Sequence, residues 1–471
     1  MDWTLLGQRI VVTIYTFALV MVCLYGLHRY VLVYLYYRHR RHAPRIKGTF
    51  ADRPRVTIQL PMYNEQYVAR RVIERACLLE WPRDRLQIQV VDDSVDETVQ
   101  IAAAAVARLR QRPPASPAEP SNRFAVLVPA HNEETVIERL LQSLHDLDYP
   151  ADLRDIYVIA DNCEDDTEAL AGAAGARVLS RRDPERLGKG HALRWGLQSI
   201  ASAEYDAVVM VDADSVVDQE FLRAMDTRLA AGAQAVQGYY GVLDARSTPS
   251  ALRSASFALM HYVRPLGKSL FGGSCGLKGN GMAFSSTLLA EVGWQSFSVA
   301  EDAEQHIRLM EEGVVVEFAP EAKVWADMPS SLAGARSQNL RWEAGRWKVA
   351  RRSSLSLLWR GLRRRSLVMV DAAVEPLIPP LSVVAALGVL AGLAGLFLGS
   401  TALLVAGGGS LAGLGAHVVG GLLLARAPLT VWRSLLAAPL YLIWKVALYV
   451  QALLGVGGGK WVRTPRASAD S

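Results

Sequence analysis

The stretch Arg123-Phe-Ala-Val-Leu-Val-Pro129-Ala-His-Asn132-Glu133 decides how this chain is read. It is a strand-like apolar run that breaks at a proline into polar residues. A helical segment follows, then an aromatic–proline pair, Tyr149-Pro150, then a second apolar run that ends at Asp161-Asn162-Cys163. Apolar runs alternating with helical segments read as an α/β fold.

The same pattern stands 68 residues earlier, as Arg55-Val-Thr-Ile-Gln-Leu-Pro61-Met-Tyr-Asn64-Glu65. It too continues through an aromatic–proline pair, Trp81-Pro82, to acids at Asp92-Asp93-Ser94. One residue is inserted near the acids, so their pairing between copies is ambiguous. The first copy stops near Arg112, before the proline-rich run 113–121, which reads as a linker. The second copy runs on for some 230 residues. A period seen twice, with one unit truncated, is a partial duplication and not a solenoid. The expected organisation is a membrane anchor with basic flank at 1–50, a partial repeat at 51–112, the linker, the main α/β domain at 122–352, and a basic interfacial segment with membrane helices at 353–471.

The 471 residues are 51% hydrophobic and carry a net charge of +5. Part of that charge lies in arginine clusters beside apolar segments: Arg38, Arg40 and Arg41, then Arg363, Arg364 and Arg365. Such clusters suit anionic headgroups at a cytoplasmic membrane face. They lack the interleaved aromatics of a nucleic-acid surface, so no nucleic-acid partner is expected. The four cysteines have no metal-ligand spacing and read as reduced thiols.

Residues from about Ile10 to Tyr37 are apolar and aromatic, and a basic stretch follows in place of a small-residue cleavage site. This is expected to be a retained anchor, with the next domain cytoplasmic. Leu377–Leu398 and Thr401–Leu424 are each long enough to span. A third run, Leu435–Leu454, holds Trp444 and Lys445 near its middle. The basic tail from Lys460 to Arg466 prefers the cytoplasm, which two spans allow and three do not. The third run is therefore expected to lie in the interface or re-enter, in a multi-pass protein of the inner membrane.

Four segments carry chemistry. The run Ala207-Val-Val-Met-Val211 ends in Asp212-Ala213-Asp214, two carboxylates beyond a strand end that suit Mg²⁺ or Mn²⁺ on a diphosphate. By itself such a pair is more often a solvated turn. Gly188-Lys189-Gly190 opens a helix and offers N–H groups and a cation to phosphate, or is an ordinary helix start. Glu301-Asp302 heads another helix, where a carboxylate is commonly a cap. Gln338, Arg341 and Trp342 share a helix face, fit to grip a diphosphate and stack on a sugar, or simply to lie on a membrane surface. Between Asp212-x-Asp214 and Glu301-Asp302, Phe271 to Met282 is glycine-rich and reads as a loop lining a pocket beside these acids, where the resemblance given next would place an acceptor, or as a plain turn.

In this order and spacing, Asn132-Glu133, Asp161, Gly188-Lys189-Gly190, Asp212-x-Asp214, Glu301-Asp302 and Gln338-x-x-Arg341-Trp342 resemble the family 2 glycosyltransferases. That group has the GT-A fold and includes cellulose, chitin and hyaluronan synthases. The resemblance covers about residues 122–352 and, more loosely, the membrane segments. It implies a Rossmann-like GT-A domain between N- and C-terminal membrane helices. Asp161 would contact the uracil or ribose of a UDP-sugar, with Glu133 nearby. Asp212 and Asp214 would manage the diphosphate and its metal, and Lys189 would assist. Asp302, beside Glu301, would be the general base. Gln338, Arg341 and Trp342 would bind the diphosphate and the acceptor. Two positions depart from the usual pattern: Asn162 replaces a second aspartate, and Ala300 stands where threonine is usual.

One base without a partnering nucleophile favours a single displacement with inversion. The resemblance favours synthesis of a polysaccharide from UDP-glucose or UDP-N-acetylglucosamine. Transfer of one sugar to a lipid is the second reading. A non-catalytic scaffold left by the duplication is a third, of another class. The second copy is expected to build the site, with the first packed beside it as a vestigial flap next to the anchor.

Overall fold

The computed structural model describes residues 56–64, 66, 68–77, 86–111, 122–269, 272–329 and 331–454. The expected N-terminal anchor, the linker and the basic tail lie outside these residues.

The two copies fold into separate sheets. In the first, β1 (Val56–Met62) and β2 (Leu86–Asp92) form a two-stranded parallel sheet. The helices Ala69–Cys77 and Thr98–Gln111 pack on it around Met62, Ile73, Ala102 and Ala105. In the second, β3 (Phe124–Ala130) and β4 (Arg154–Asp161) pair in parallel with the same separation. Val56 faces Leu86 across a separation of 30 residues, and Phe124 faces Arg154 across 30. The shared register resolves the ambiguous acids: at an offset of 68, Asp93 corresponds to Asp161. The turns agree as well. Asn64 and Asn132 both have φ of +55°. The Asn64 side chain accepts from Val95 N at 3.1 Å, and that of Asn132 from Glu164 N at 2.8 Å. Those spans are 31 and 32 residues, so the inserted residue follows Asp161, where Asn162 takes a left-handed φ of +53°.

The second copy extends into an eight-stranded sheet. Its further strands are β5 (Arg177–Arg181), β6 (Ala207–Met210), β7 (Ser215–Val217), β8 (Ala235–Val242), β9 (Met282–Ser285) and β10 (Val316–Ala326). The order is β5-β4-β3-β6-β9-β8-β10-β7. The half from β5 to β6 is parallel, and β9 runs antiparallel to both β6 and β8. β3 and β6 are buried on both faces, which is why their sequences are continuously apolar rather than alternating. After β3 the chain builds outward through β4 and β5, then returns to the other side of β3 as β6. Ligands of open α/β sheets bind at the carboxyl ends beside such a reversal.

Three C-terminal helices are long and apolar enough to cross a membrane: Leu381–Leu398, Thr401–Leu424 and Leu429–Leu453. The first starts four residues later than the sequence suggests, because 375–377 form a separate 3₁₀ turn and Pro379-Pro380 delay the helix. The third, expected to lie in the interface or re-enter, has the length and composition of a span as well. It carries two charges, Arg433 and Lys445, and the second, near its middle, has partners: Nζ donates to Asn339 Oδ1 at 3.0 Å and Glu343 Oε1 at 3.1 Å, both on the helix Leu332–Val349. A lysine so paired does not require an interfacial position.

Candidate active site

The carboxyl ends of β3, β4 and β6 open on a cavity of about 3890 Å³. Glu133, Asp161, Lys189, Asp212, Asp214, Glu301, Asp302, Gln338, Arg341 and Trp342 all line it. None of the described residues of the first copy does.

Asp161 closes β4 with 6% of its surface exposed. Its carboxylate accepts from Arg181 of β5, itself buried, and from the Asn162 amide at 3.0 Å. Burial raises its pKa, and Arg181 opposes the rise. The Glu133 N–H donates to Thr167 Oγ1 at 2.7 Å, which ties the β3 turn to the helix after β4.

Asp212 and Asp214 follow β6. The Asp212 N–H donates to Asn280 Oδ1 at 3.1 Å, and the buried Asn280 amide donates to Ser215 Oγ at 2.8 Å. Asn280 therefore sets the loop that carries both aspartates. It sits in the glycine-rich segment because the chain must press there against β10: at Gly281, φ is +65° and an added Cβ would stand 2.6 Å from Val324 Cγ1.

Lys189 begins the helix Lys189–Ser199 after Gly188, whose φ is +113°. Its Nζ donates to Asp212 and to the Gly279 carbonyl, with Glu301 at 3.6 Å. The sequence suggests a cation aimed at phosphate; the structure joins it to the aspartate pair and to the head of the helix Glu301–Glu311. Burial pushes the Glu301 carboxyl up to about 7, against the pull of Lys189. Burial also raises Asp302, opposed by N–H groups of its own helix and by Lys189 and Lys278. The glycine loop touches this acid, since a Cβ on Gly279 would lie 3.5 Å from Asp302 Oδ2.

Gln338, Arg341 and Trp342 come from the helix Leu332–Val349, capped by the Ser331 hydroxyl on Gly334 N. Burial lowers the Arg341 pKa, while Glu301 and Asp212 hold it up. Gln338 Oε1 is buried without a hydrogen-bond partner among the described residues, as suits a group meant for a ligand. Sequence reading missed Arg253. Its guanidinium lies 4.9 Å from the Trp342 ring centre and donates to Asn339 Oδ1 at 2.7 Å, fixing the indole from behind. A lone arginine in the helix Thr248–Phe257 gives no sequence signal for this.

The donor set fits a hard divalent cation. Two carboxylates face the cavity from one loop, and no cluster of three or more histidine, cysteine or acidic ligands exists among the described residues. Two carboxylates would make up only part of such an ion's oxygen shell.

Residues 120–345 match the family described as Glycosyltransferase like family 2. Over 233 residues the chain is 26% identical to a probable glycosyltransferase of Bacillus subtilis, covering 47% of this chain and 55% of that one. Over 245 residues it is 26% identical to a poly-beta-1,6-N-acetyl-D-glucosamine synthase of Staphylococcus aureus, covering 49% and 56%. The chain spans about half the length of these relatives. Among solved structures it is similar to a mannosyltransferase from Pyrobaculum calidifontis in complex with GDP-Man and Mn²⁺. Identity there is 18% and the TM-score 0.44, over 76% of this chain and 94% of that one. It is also similar to the glucosyl-3-phosphoglycerate synthase of Mycobacterium tuberculosis in complex with Mg²⁺ and UDP. Identity is 26% and the TM-score 0.33, over 49% and 83%.

Asp161→Asn is expected to weaken UDP binding by about tenfold or more, because a buried charged acceptor is lost. Asp92→Ala with Asp93→Ala should leave it within about twofold, since neither carboxylate lines the cavity. Titration calorimetry on each purified variant checks both. A melting curve identifies any loss due to weakening of the Arg181 network, which keeps Asp183 as a partner after the first change.

Proposed function

From the match of residues 120–345 to Glycosyltransferase like family 2, we propose that the chain moves a sugar, with inversion, from a UDP-sugar to a growing polysaccharide at the cytoplasmic membrane face. Glucose and N-acetylglucosamine are the favoured donor sugars. The observation that carries the reading is one continuous cavity. It runs from Asp212 and Asp302, past Gln338, Arg341 and Trp342, to Ala385, Leu411, Val418 and Leu442 on the three apolar helices. A site at the mouth of a passage between such helices suits an acceptor that extends into the membrane.

The acceptor hydroxyl is a poor nucleophile, so Asp302 takes its proton as it attacks the anomeric carbon. The diphosphate leaves with growing charge, which Arg341 and Lys189 offset. Asp212 and Asp214 would hold the Mg²⁺ or Mn²⁺ ion, which when bound supplies further counter-charge to the diphosphate. Trp342, braced by Arg253, offers an indole face for the acceptor ring. Asp161 and Glu133 stand where the nucleoside would lie.

Screening UDP-sugars for UDP release, then sizing the labelled product, tests the reading. Polymer supports it. A single sugar on a lipid moves the protein to the second reading, which the apolar cavity walls also favour. No release from any UDP-sugar would sink both. Because burial raises the Asp302 carboxyl above the usual carboxylate range, kcat/KM is expected to rise with pH as the base becomes ionised, on a limb displaced upward from that of a free aspartate. Glu301→Gln removes a like charge beside the base. It should move that limb to lower pH, visible in the pH profile even if the maximum rate also falls.

A further inference from the structure

The glycine-rich loop brings a cation to the cavity that the transfer chemistry does not use. Lys278 lines the cavity one residue from Gly279, which abuts Asp302. Its backbone is pinned, the N–H donating to Gln237 Oε1 at 2.8 Å. Its side chain is 13% exposed, and its nearest carboxylate, Glu375 Oε1, is 3.8 Å away, beyond hydrogen-bond distance. Glu375 is already engaged by Arg264 at 3.0 Å and Lys268 at 2.7 Å, and Lys268 also bonds Asp371. This buried group holds three cations against two carboxylates. His306 beside it is held neutral by burial, its pKa lowered to about 4. Lys278 and Arg264 of this group line the cavity, and the Lys278 ammonium, which also acts on Asp302, is the one without a carboxylate at hydrogen-bond distance among the described residues.

We propose that Lys278 forms a subsite for an anionic oxygen group, carboxylate or phosphate, carried by the acceptor close to the hydroxyl that is glycosylated. A desolvated ammonium without a hydrogen-bonded acceptor gains most from a charged partner. The apolar walls beyond it accommodate the rest of an amphipathic acceptor. The inference rests on the reading of this cavity as the acceptor site.

The test is a binding measurement that needs no turnover. Octyl β-glucoside, octyl β-glucuronide and octyl phosphate are titrated by calorimetry into the full chain in nanodiscs, below their micelle-forming concentrations. The wild type is expected to bind at least one of the anionic probes about tenfold or more tighter than the glucoside. Preference for the glucuronide assigns a carboxylate source and preference for octyl phosphate a phosphate source. Lys278→Met should reduce the preference to about onefold with UDP binding unchanged, and Lys278→Arg should retain it. If the methionine variant fails to melt like the wild type, Lys278→Gln replaces it. Equal binding of all three probes, or a preference that survives loss of the charge, overturns the subsite. Anion preference without UDP release from any UDP-sugar would overturn the proposed function and leave the subsite standing.

Discussion

Asp302→Asn is expected to lower transfer by about 10²-fold or more while UDP affinity stays within about twofold, the scale of a lost general base. Asparagine keeps the shape and cannot take a proton at neutral pH. Asp302 lies at the head of its helix beside the glycine loop, away from the Asp161 end where the nucleoside would sit. Initial rates of UDP release with acceptor present, and calorimetry with UDP, separate the two effects. Near-normal turnover would remove Asp302 from the role. A matching loss of UDP binding would make it a donor ligand instead.

The second large effect is expected for Asp212→Ala combined with Asp214→Ala. Stimulation of UDP binding by Mn²⁺ should vanish, a loss of about 10²-fold in affinity under saturating metal, because the cation's protein ligands are gone. Binding in EDTA should change little or improve, since Lys189 no longer gives its ammonium to Asp212. Calorimetry with and without Mn²⁺ checks both limbs. A double variant that still shows full metal stimulation would mean that the cation is held elsewhere.

Much of this was legible in the sequence because its signals are local. Strand runs, the Asp212-x-Asp214 spacing and the helical face of Gln338, Arg341 and Trp342 are set by neighbours a few residues away. The C-terminal helices were legible from length and hydropathy, the third from Leu435 onward. There Lys445 suggested an interfacial helix, and only its partners Asn339 and Glu343, about 100 residues earlier, account for it. The same distance hid the rest. Lys189 meets Asp212 across 23 residues and Gly279 across 90. Asn280 orders the aspartate loop across 68, and Arg253 braces the Trp342 helix across 86. Long-range pairs between single polar residues leave no periodicity to read. The acids of the two copies could not be aligned until the strand registers fixed the position of the insertion.

Those matching registers pose a problem of folding specificity. The chain holds two segments of one shape for a single place at the centre of the large sheet, the condition under which related units exchange and misassemble. The pattern of the strands decides the contest. β3 carries Ala125 and Leu127 where β1 carries Thr57 and Gln59, and β4 carries Tyr157 where β2 carries Gln89. In its own sheet β1 turns Thr57 and Gln59 outward, where they bond Gln87 and Gln89 at 3.3 and 3.1 Å. Moved to the place of β3, with both faces covered, each would be stripped of water at about 1–3 kcal/mol unless repaired. The alternating polar residues that make the first unit a weak strand former thus keep it out of the catalytic sheet. Replacing them with valine would turn a tolerated duplication into a competitor.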